Sequence, residues 1–206
     1  PMLKDTVDDI VQKILNDDNV FMKLTGIRDI DNYTYLHSVD VCIYSVIAGK
    51  SMHLSESEIS DLGMGAILHD LGKCKIPLSI LNKPARLTKD EYEVIKKHTV
   101  LGYDVIRKTP GMDYGIANIA LSHHEHWDGT GYPLRKAGTD IDILSRIVAV
   151  ADVYDALTAN RVYRKRFMPH EAAEYLVANA SQHFDPEILK IFLDNIAVYP
   201  ADIIVL

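Results

Sequence analysis

Apolar residues recur every three or four positions along almost the whole chain, and histidines and aspartates recur on top of that pattern. By residue number, His69 follows His37 by 32 positions, His98 follows Asp70 by 28, His123 follows His98 by 25, and Asp152 follows His124 by 28. Each interval matches one helix plus a turn. In a helical bundle that rhythm lets each helix bring one ligand-type side chain to a shared level. The expected fold is therefore all-α, a bundle of about seven to nine helices enclosing a site in its core.

The boundaries of those helices are marked locally. Leu3, Val7, Ile10, Val11, Ile14 and Leu15 form one stripe, with Lys4, Asp8, Lys13 and Asp17 mostly off it, so the chain opens on an amphipathic helix. Residues 1–30 are expected to be this helix and a linker, residues 31–196 the main domain, and residues 197–206 an extended tail. A second helix is predicted over 32–50, and a third from Ser55, which has capping-box spacing to Glu58, to about residue 71 with Gly72 as its stop. KIPLSILNKPARL reads as a loop with one short turn. Thr88 and Glu91 repeat the capping spacing and open one helix carrying Tyr92, Ile95, Leu101, Val105 and Ile106 to Thr109-Pro110-Gly111. Further helices are predicted over 114–126 and 143–160, and after Pro169 and Pro186, with Asp185 as an N-cap. Between them DGTGYPLRKAGTDI has the composition of a shaped loop.

Composition narrows the function. At 206 residues, 48% apolar and 25% charged, the chain has the balance of a globular domain. With 22 basic against 29 acidic residues, a net charge of −7, it lacks the basic face that nucleic-acid binding requires. No apolar run approaches the roughly 20 residues that span a bilayer. Two cysteines, Cys42 and Cys74, make no disulfide framework, and a cytoplasmic location is expected.

His37, His69, Asp70, His98, His123, His124 and Asp152 are too many donors for one tetrahedral ion and suit two divalent ions with a bridging carboxylate. Two such ions, two carboxylates and a bridging hydroxide leave about one positive charge, which favours an anionic substrate. The ions would bring a shared water near neutrality and set it in line with phosphorus, so no serine or cysteine nucleophile is needed. Lys73, one turn past His69, is placed to reach a phosphate oxygen. An exposed helix-terminal lysine is the plainer reading of the same residue.

HSVDV around His37, ILHDLGK from His69 to Lys73, KKHTVLGYDVI around His98, SHHEHWDGTGYP and RIVAVADVYDALTANRVYRKR resemble the HD-GYP branch of the HD-domain metal phosphohydrolases. The resemblance covers roughly residues 30–195, and HHExxDGxGYP followed by ADxxDALTxxRxYR is specific. It implies an HD-domain-like bundle with a dinuclear iron or manganese centre. The implied activity is a phosphodiesterase that hydrolyses the bacterial second messenger cyclic di-GMP by attack of a metal-bridging hydroxide on phosphorus. The implied ligands are the seven residues above, with Asp70 bridging. Lys73, Arg161 and Arg164 would bind substrate phosphates, the last often being lysine in the family.

Some members carry a glutamate four residues before the first histidine ligand that helps to hold a third metal. Tyr33 stands there in this chain, so two metals and linear pGpG as product are expected. The loop of Asp128, Gly129, Gly131, Tyr132 and Pro133 is implied to border the active site and to contact diguanylate cyclase domains, and Asp128 to support a histidine ligand from behind. An upstream sensory or receiver domain and a homodimer through the opening helix are also expected. The rival readings are a phosphodiesterase for another cyclic dinucleotide, such as cyclic GMP-AMP, and a module that binds the dinucleotide or a cyclase without turnover. His53, His170 and His183 read as ordinary helix-terminal or surface histidines, His126 as a candidate for touching substrate, and Cys74 as a partly buried thiol or a redox sensor near the metals.

Overall fold

The starts of four helices fall where a side chain takes up free backbone amides: Ser55, Thr88, Asp142 and Asp185. The computed structural model describes residues 32–159 and 166–196. The opening stripe at 1–30, the tail at 197–206, and Arg161 and Arg164 lie outside the described residues. The helices are α1 (Asn32–Ser51), α2 (Glu56–Leu68), α3 (Leu78–Leu81), α4 (Lys89–Lys96), α5 (His98–Arg107), α6 (Tyr114–Ser122), α7 (Ile143–Thr158), α8 (Pro169–Ala178) and α9 (Pro186–Asn195). Two short 3-10 turns, Leu71–Lys75 and Gly138–Asp140, complete the order. Among the described residues there is no strand, only an isolated bridge between Ala180 and Phe184. Among the described residues the all-α expectation and its helix number hold.

Both predicted capping boxes form. Ser55 and Glu58 close reciprocally at the start of α2, and Thr88 and Glu91 do the same for α4. Asp185 accepts from the Glu187 and Ile188 amides and Pro186 opens α9, as expected.

Three boundaries differ from the sequence reading. The helix predicted from Thr88 to residue 108 is two, α4 and α5, meeting at Lys97. There the His98 ring donates from Nδ1 to the Ile95 carbonyl at 2.7 Å and the Thr99 hydroxyl donates to the Lys96 carbonyl at 3.0 Å, so side chains compete for acceptors of the main-chain ladder. The helix predicted to reach residue 126 stops at Ser122, where His123 Nδ1 takes the Ala120 carbonyl at 3.1 Å, the Glu125 amide bonds back to the Ser122 carbonyl at 2.9 Å and the Trp127 amide turns to the His183 carbonyl at 3.1 Å. Gly72 is not a helix stop, since α2 ends at Leu68 and Gly72 lies within the next 3-10 turn. A Cβ there would sit 1.9 Å from the His98 carbonyl oxygen, so only glycine lets this turn lie against α5.

α1 packs on α2 and α7, α6 on α2 and α5, and α8 and α9 on α7. Val41, Val46, Leu62, Leu68, Ile119, Ile147, Val150 and Phe192 are at most 2% exposed and form the core. Each such side chain contributes roughly 1.5–3 kcal/mol by leaving water. Cys42 lies in this core, where burial pushes its thiol up to about 12, so it is a packing residue. Among the described residues no helix is long and apolar enough to cross a membrane.

Candidate metal centre

Five elements converge on one buried point. α1 supplies His37, the end of α2 supplies His69 and Asp70, α5 begins with His98, the turn after α6 carries His123 and His124, and α7 supplies Asp152. His69, Asp70, His98 and His123 are each no more than 2% exposed. Two groups of donors result: His98, His123 and His124 in one, His37, His69 and Asp70 in the other, each with its ligand atoms within 4.8 Å of one another.

Asp70 faces both groups. Its Oδ2 lies 3.3 Å from His69 Nε2, while Oδ1 lies 3.4 Å from His98 Nε2 and 4.0 Å from His123 Nε2. Asp152 Oδ1 approaches His37 Nε2 at 3.0 Å. All seven donors named from the sequence are thus drawn together.

The local backbone fixes which ring nitrogen faces inward. His69 Nδ1 donates to the Ala66 carbonyl at 2.6 Å, His98 Nδ1 to Ile95, and His123 Nδ1 to Ala120 at 3.1 Å. Each histidine lies at or just past a helix end, so its own preceding turn offers the acceptor. With Nδ1 holding the proton, Nε2 presents a lone pair to the centre, the state a metal ligand needs.

The charge states fit the same role. Burial pushes His98, His123 and His124 down, His124 to about 3, with neighbouring imidazoles adding to the effect, so these three stay neutral. Burial opposes ionisation of Asp70, but the Lys73 ammonium and His69 outweigh it and hold the carboxyl well below its usual range. Asp152 is held down likewise, chiefly by its bond to His37. Burial would lower His37, yet Asp152 and Asp155 raise it to about 10. The imidazolium of His37 therefore stands between two carboxylates until a metal takes over its Nε2.

Two buried atoms test whether a cation belongs here. His69 Nε2 and Asp70 Oδ1 have no hydrogen-bond partner among the described residues. Leaving such acceptors unsatisfied costs about 1–3 kcal/mol each. Both point into the donor cluster, and a coordinated cation would satisfy both.

Lys73 bonds to Asp70 at the rim of the centre, its side chain 29% exposed. Tyr132 covers His124, ring centroids 4.9 Å apart, and the Lys96 ammonium sits 5.4 Å from the Tyr132 centroid. The loop bearing Tyr132 is held tightly: a Cβ on Gly131 would lie 2.2 Å from the His126 amide nitrogen.

Asp128 is placed otherwise than expected. It is exposed, and its Oδ1 accepts from the Thr130 amide at 2.9 Å and the Thr130 hydroxyl at 2.6 Å, shaping the loop rather than backing a histidine ligand. His126 turns away from the centre, bonded to Thr130 and stacked on His183 at 4.1 Å between centroids. Cys74 is half-buried and burial raises its thiol, which disfavours the reactive thiolate.

Two carboxylates were missed by the sequence reading. Asp155, one turn after Asp152 on α7 and 3% exposed, accepts the His37 Nδ1 proton at 2.6 Å. The available signal was its i+3 spacing from Asp152 in a helix whose other face is apolar. Glu125, 2% exposed, accepts from the Leu134 and Lys136 amides at 2.6 and 3.0 Å and so ties down the loop that carries Tyr132. A carboxylate directly after two ligand histidines was the signal there.

The HD domain family matches residues 10–188. The cyclic di-GMP phosphodiesterase PA4108 of Pseudomonas aeruginosa is 35% identical over 98% of this chain and 48% of its own length. The 3'3'-cGAMP-specific phosphodiesterase 2 of Vibrio cholerae is 34% identical over 94% of this chain and 35% of its own length. The chain thus spans half or less of the length of these curated relatives. Among solved structures, the Vibrio cholerae cyclic GMP-AMP-specific phosphodiesterase V-cGAP3 superposes with a TM-score of 0.66 at 23% identity, covering 85% of this chain and 47% of that one.

Proposed function

Since the chain belongs to the HD domain family, we propose that it is a metal-dependent phosphodiesterase that hydrolyses cyclic di-GMP to linear pGpG. The observation that carries this reading is Asp70, buried and ionised between two groups of donors, with Lys73 on the same carboxylate. A dinuclear site rimmed by a cation suits a phosphodiester.

His98, His123 and His124 would hold one divalent ion, His37, His69 and Asp152 the other, and Asp70 both. Iron or manganese suits this mixture of imidazole and carboxylate. When bound, the pair supplies Lewis acidity and an activated water at neutral pH. The reaction adds water across one P–O bond, leaving a phosphomonoester and a free hydroxyl. Lys73 binds a non-bridging phosphate oxygen and offsets its charge, and Arg161 and Arg164 hold the phosphates from the basic stretch RVYRKR. Tyr132 and the Lys96 side chain wall the centre beside His124 and limit water there. Two donor groups among the described residues, with Tyr33 in place of a carboxylate, support two metals and pGpG rather than GMP.

The same reading assigns residues 31–196 as the catalytic domain, acting in the cytoplasm downstream of a sensory or receiver domain, with residues 1–30 as a dimerising linker. The loop from Asp128 to Pro133, with Leu134 53% exposed beside it, offers a surface for a diguanylate cyclase domain.

The test is anaerobic turnover of cyclic di-GMP with defined iron or manganese loading, products followed by chromatography and Asp70→Ala as control. Formation of pGpG that vanishes in the variant is expected. Three ions per chain with GMP as sole product would overturn the two-metal reading, and no turnover with two ions bound would overturn the substrate.

A further inference from the structure

Beside the metal centre lies a cavity of about 590 Å³, within the roughly 300–1,000 Å³ range of small-ligand sites. It shares a wall with the centre, because His37 and Asp155 line it. Two further walls are aromatic. Tyr44 is braced edge-on by Tyr154 at 5.2 Å, and the Phe167 main chain is held by its N–H, which donates to the Leu157 carbonyl at 3.0 Å. Besides the His37–Asp155 pair, two charged residues line the space: Asp40, one turn after His37 on α1, and Arg166 on the stretch before α8. Both are exposed, and among the described residues no ion pair engages the Asp40 carboxylate.

We propose that this cavity is the base-recognition subsite of the enzyme and that Asp40 selects guanine. The proposal rests on the cyclic-dinucleotide reading above. A nucleotide whose phosphate lies at the metal centre carries its base one sugar away, and the cavity begins one side chain away. The Watson–Crick edge of guanine presents two parallel donors, N1–H and the 2-amino group, which one carboxylate accepts together. Adenine presents an acceptor at N1, which a carboxylate repels. Arg166 supplies the fork of donors that guanine O6 and N7 accept. The aromatic walls offer a stacking face that any base can use, so they contribute affinity while Asp40 contributes choice. Phosphate-binding cations cannot make that choice, because every 3'3'-linked cyclic dinucleotide presents the same backbone.

The experiment measures equilibrium binding of GMP and AMP, neither of which contains a phosphodiester, to the metal-loaded protein and to Asp40→Asn. Wild-type protein is expected to bind GMP at least about fivefold more tightly than AMP, the lower end of bidentate discrimination, and Asp40→Asn to lose that preference. Metal content is expected to be kept, since Asp40 is not a ligand and asparagine keeps its volume. In turnover, the variant is expected to show a raised KM for cyclic di-GMP with kcat kept, and a smaller rise for 3'3'-cGAMP. Asp40→Glu, which keeps the charge but displaces it, is expected to lose the GMP preference as well. Equal binding of GMP and AMP by the wild type, or a GMP preference that survives in Asp40→Asn, overturns the proposal. Failure of cyclic di-GMP turnover with guanine preference intact would instead reject the assigned reaction and leave the subsite standing.

Discussion

At the scale of single residues, the His37–Asp155 bond governs how the centre exchanges protons for metal. The carboxylate orients the ring and keeps Nε2 aimed at the donor cluster. Asp155→Ala is expected to weaken metal affinity about 10- to 100-fold in a protein that still folds, the usual effect of removing such a support. Competition with a chelator of known affinity reads this, and an unchanged affinity would refute the role. The pH dependence of the metal-free protein has a definite sign. His37 keeps its proton in the folded state up to about pH 10, so its contribution is complete below its ordinary value near 6.5 and is lost as pH rises through 10. His124, lowered to about 3, stays neutral when folded while the unfolded chain takes up a proton, so stability also falls as pH drops from about 6.5 toward 3. Melting temperature measured against pH on metal-free protein should peak near 6.5, and a profile that keeps rising to pH 9 would contradict it.

At the scale of elements, the centre depends on how closely backbones approach. Gly72→Ala forces the 3-10 turn away from α5 and shifts His98 with it. A loss of about 1–3 kcal/mol in chemical denaturation, together with weaker metal binding, is expected. Glu125→Gln should loosen the loop after α6, because its amide group cannot accept from both the Leu134 and Lys136 amides. Faster limited proteolysis between residues 128 and 137, with the core intact, is the readout. The helix starts were legible because a capping box is a local device: Ser55 and Glu58, or Thr88 and Glu91, need only their own first turn. The break at Lys97 was not, because it follows from where the His98 ring must point, which distant elements decide. The early end of α6 was hidden for the same reason, since the Trp127 amide turns to the His183 carbonyl, 56 positions away by residue number.

At the scale of the whole molecule, the candidate donors were readable because the seven are spread over five elements at near-regular intervals, a property of the chain rather than of any contact. Asp155 was not readable as a partner of His37, 118 positions away, until α1 and α7 lay side by side. Metal removal is expected to lower the melting temperature, since a ligand held at a hundred times its Kd adds about 2.7 kcal/mol. An identical melting curve with and without a chelator would argue against the centre altogether. The donors are also spread so that His37 and Asp152, 115 positions apart by residue number, meet at one point, with His69, His98 and His123 between them. In mechanical terms the centre is a rivet through five separate lengths of chain. A single cut within residues 82–88, between α3 and α4, would leave two fragments that share the apolar core and that metal fastens further, so a chelator is expected to lower the denaturant concentration at which they part.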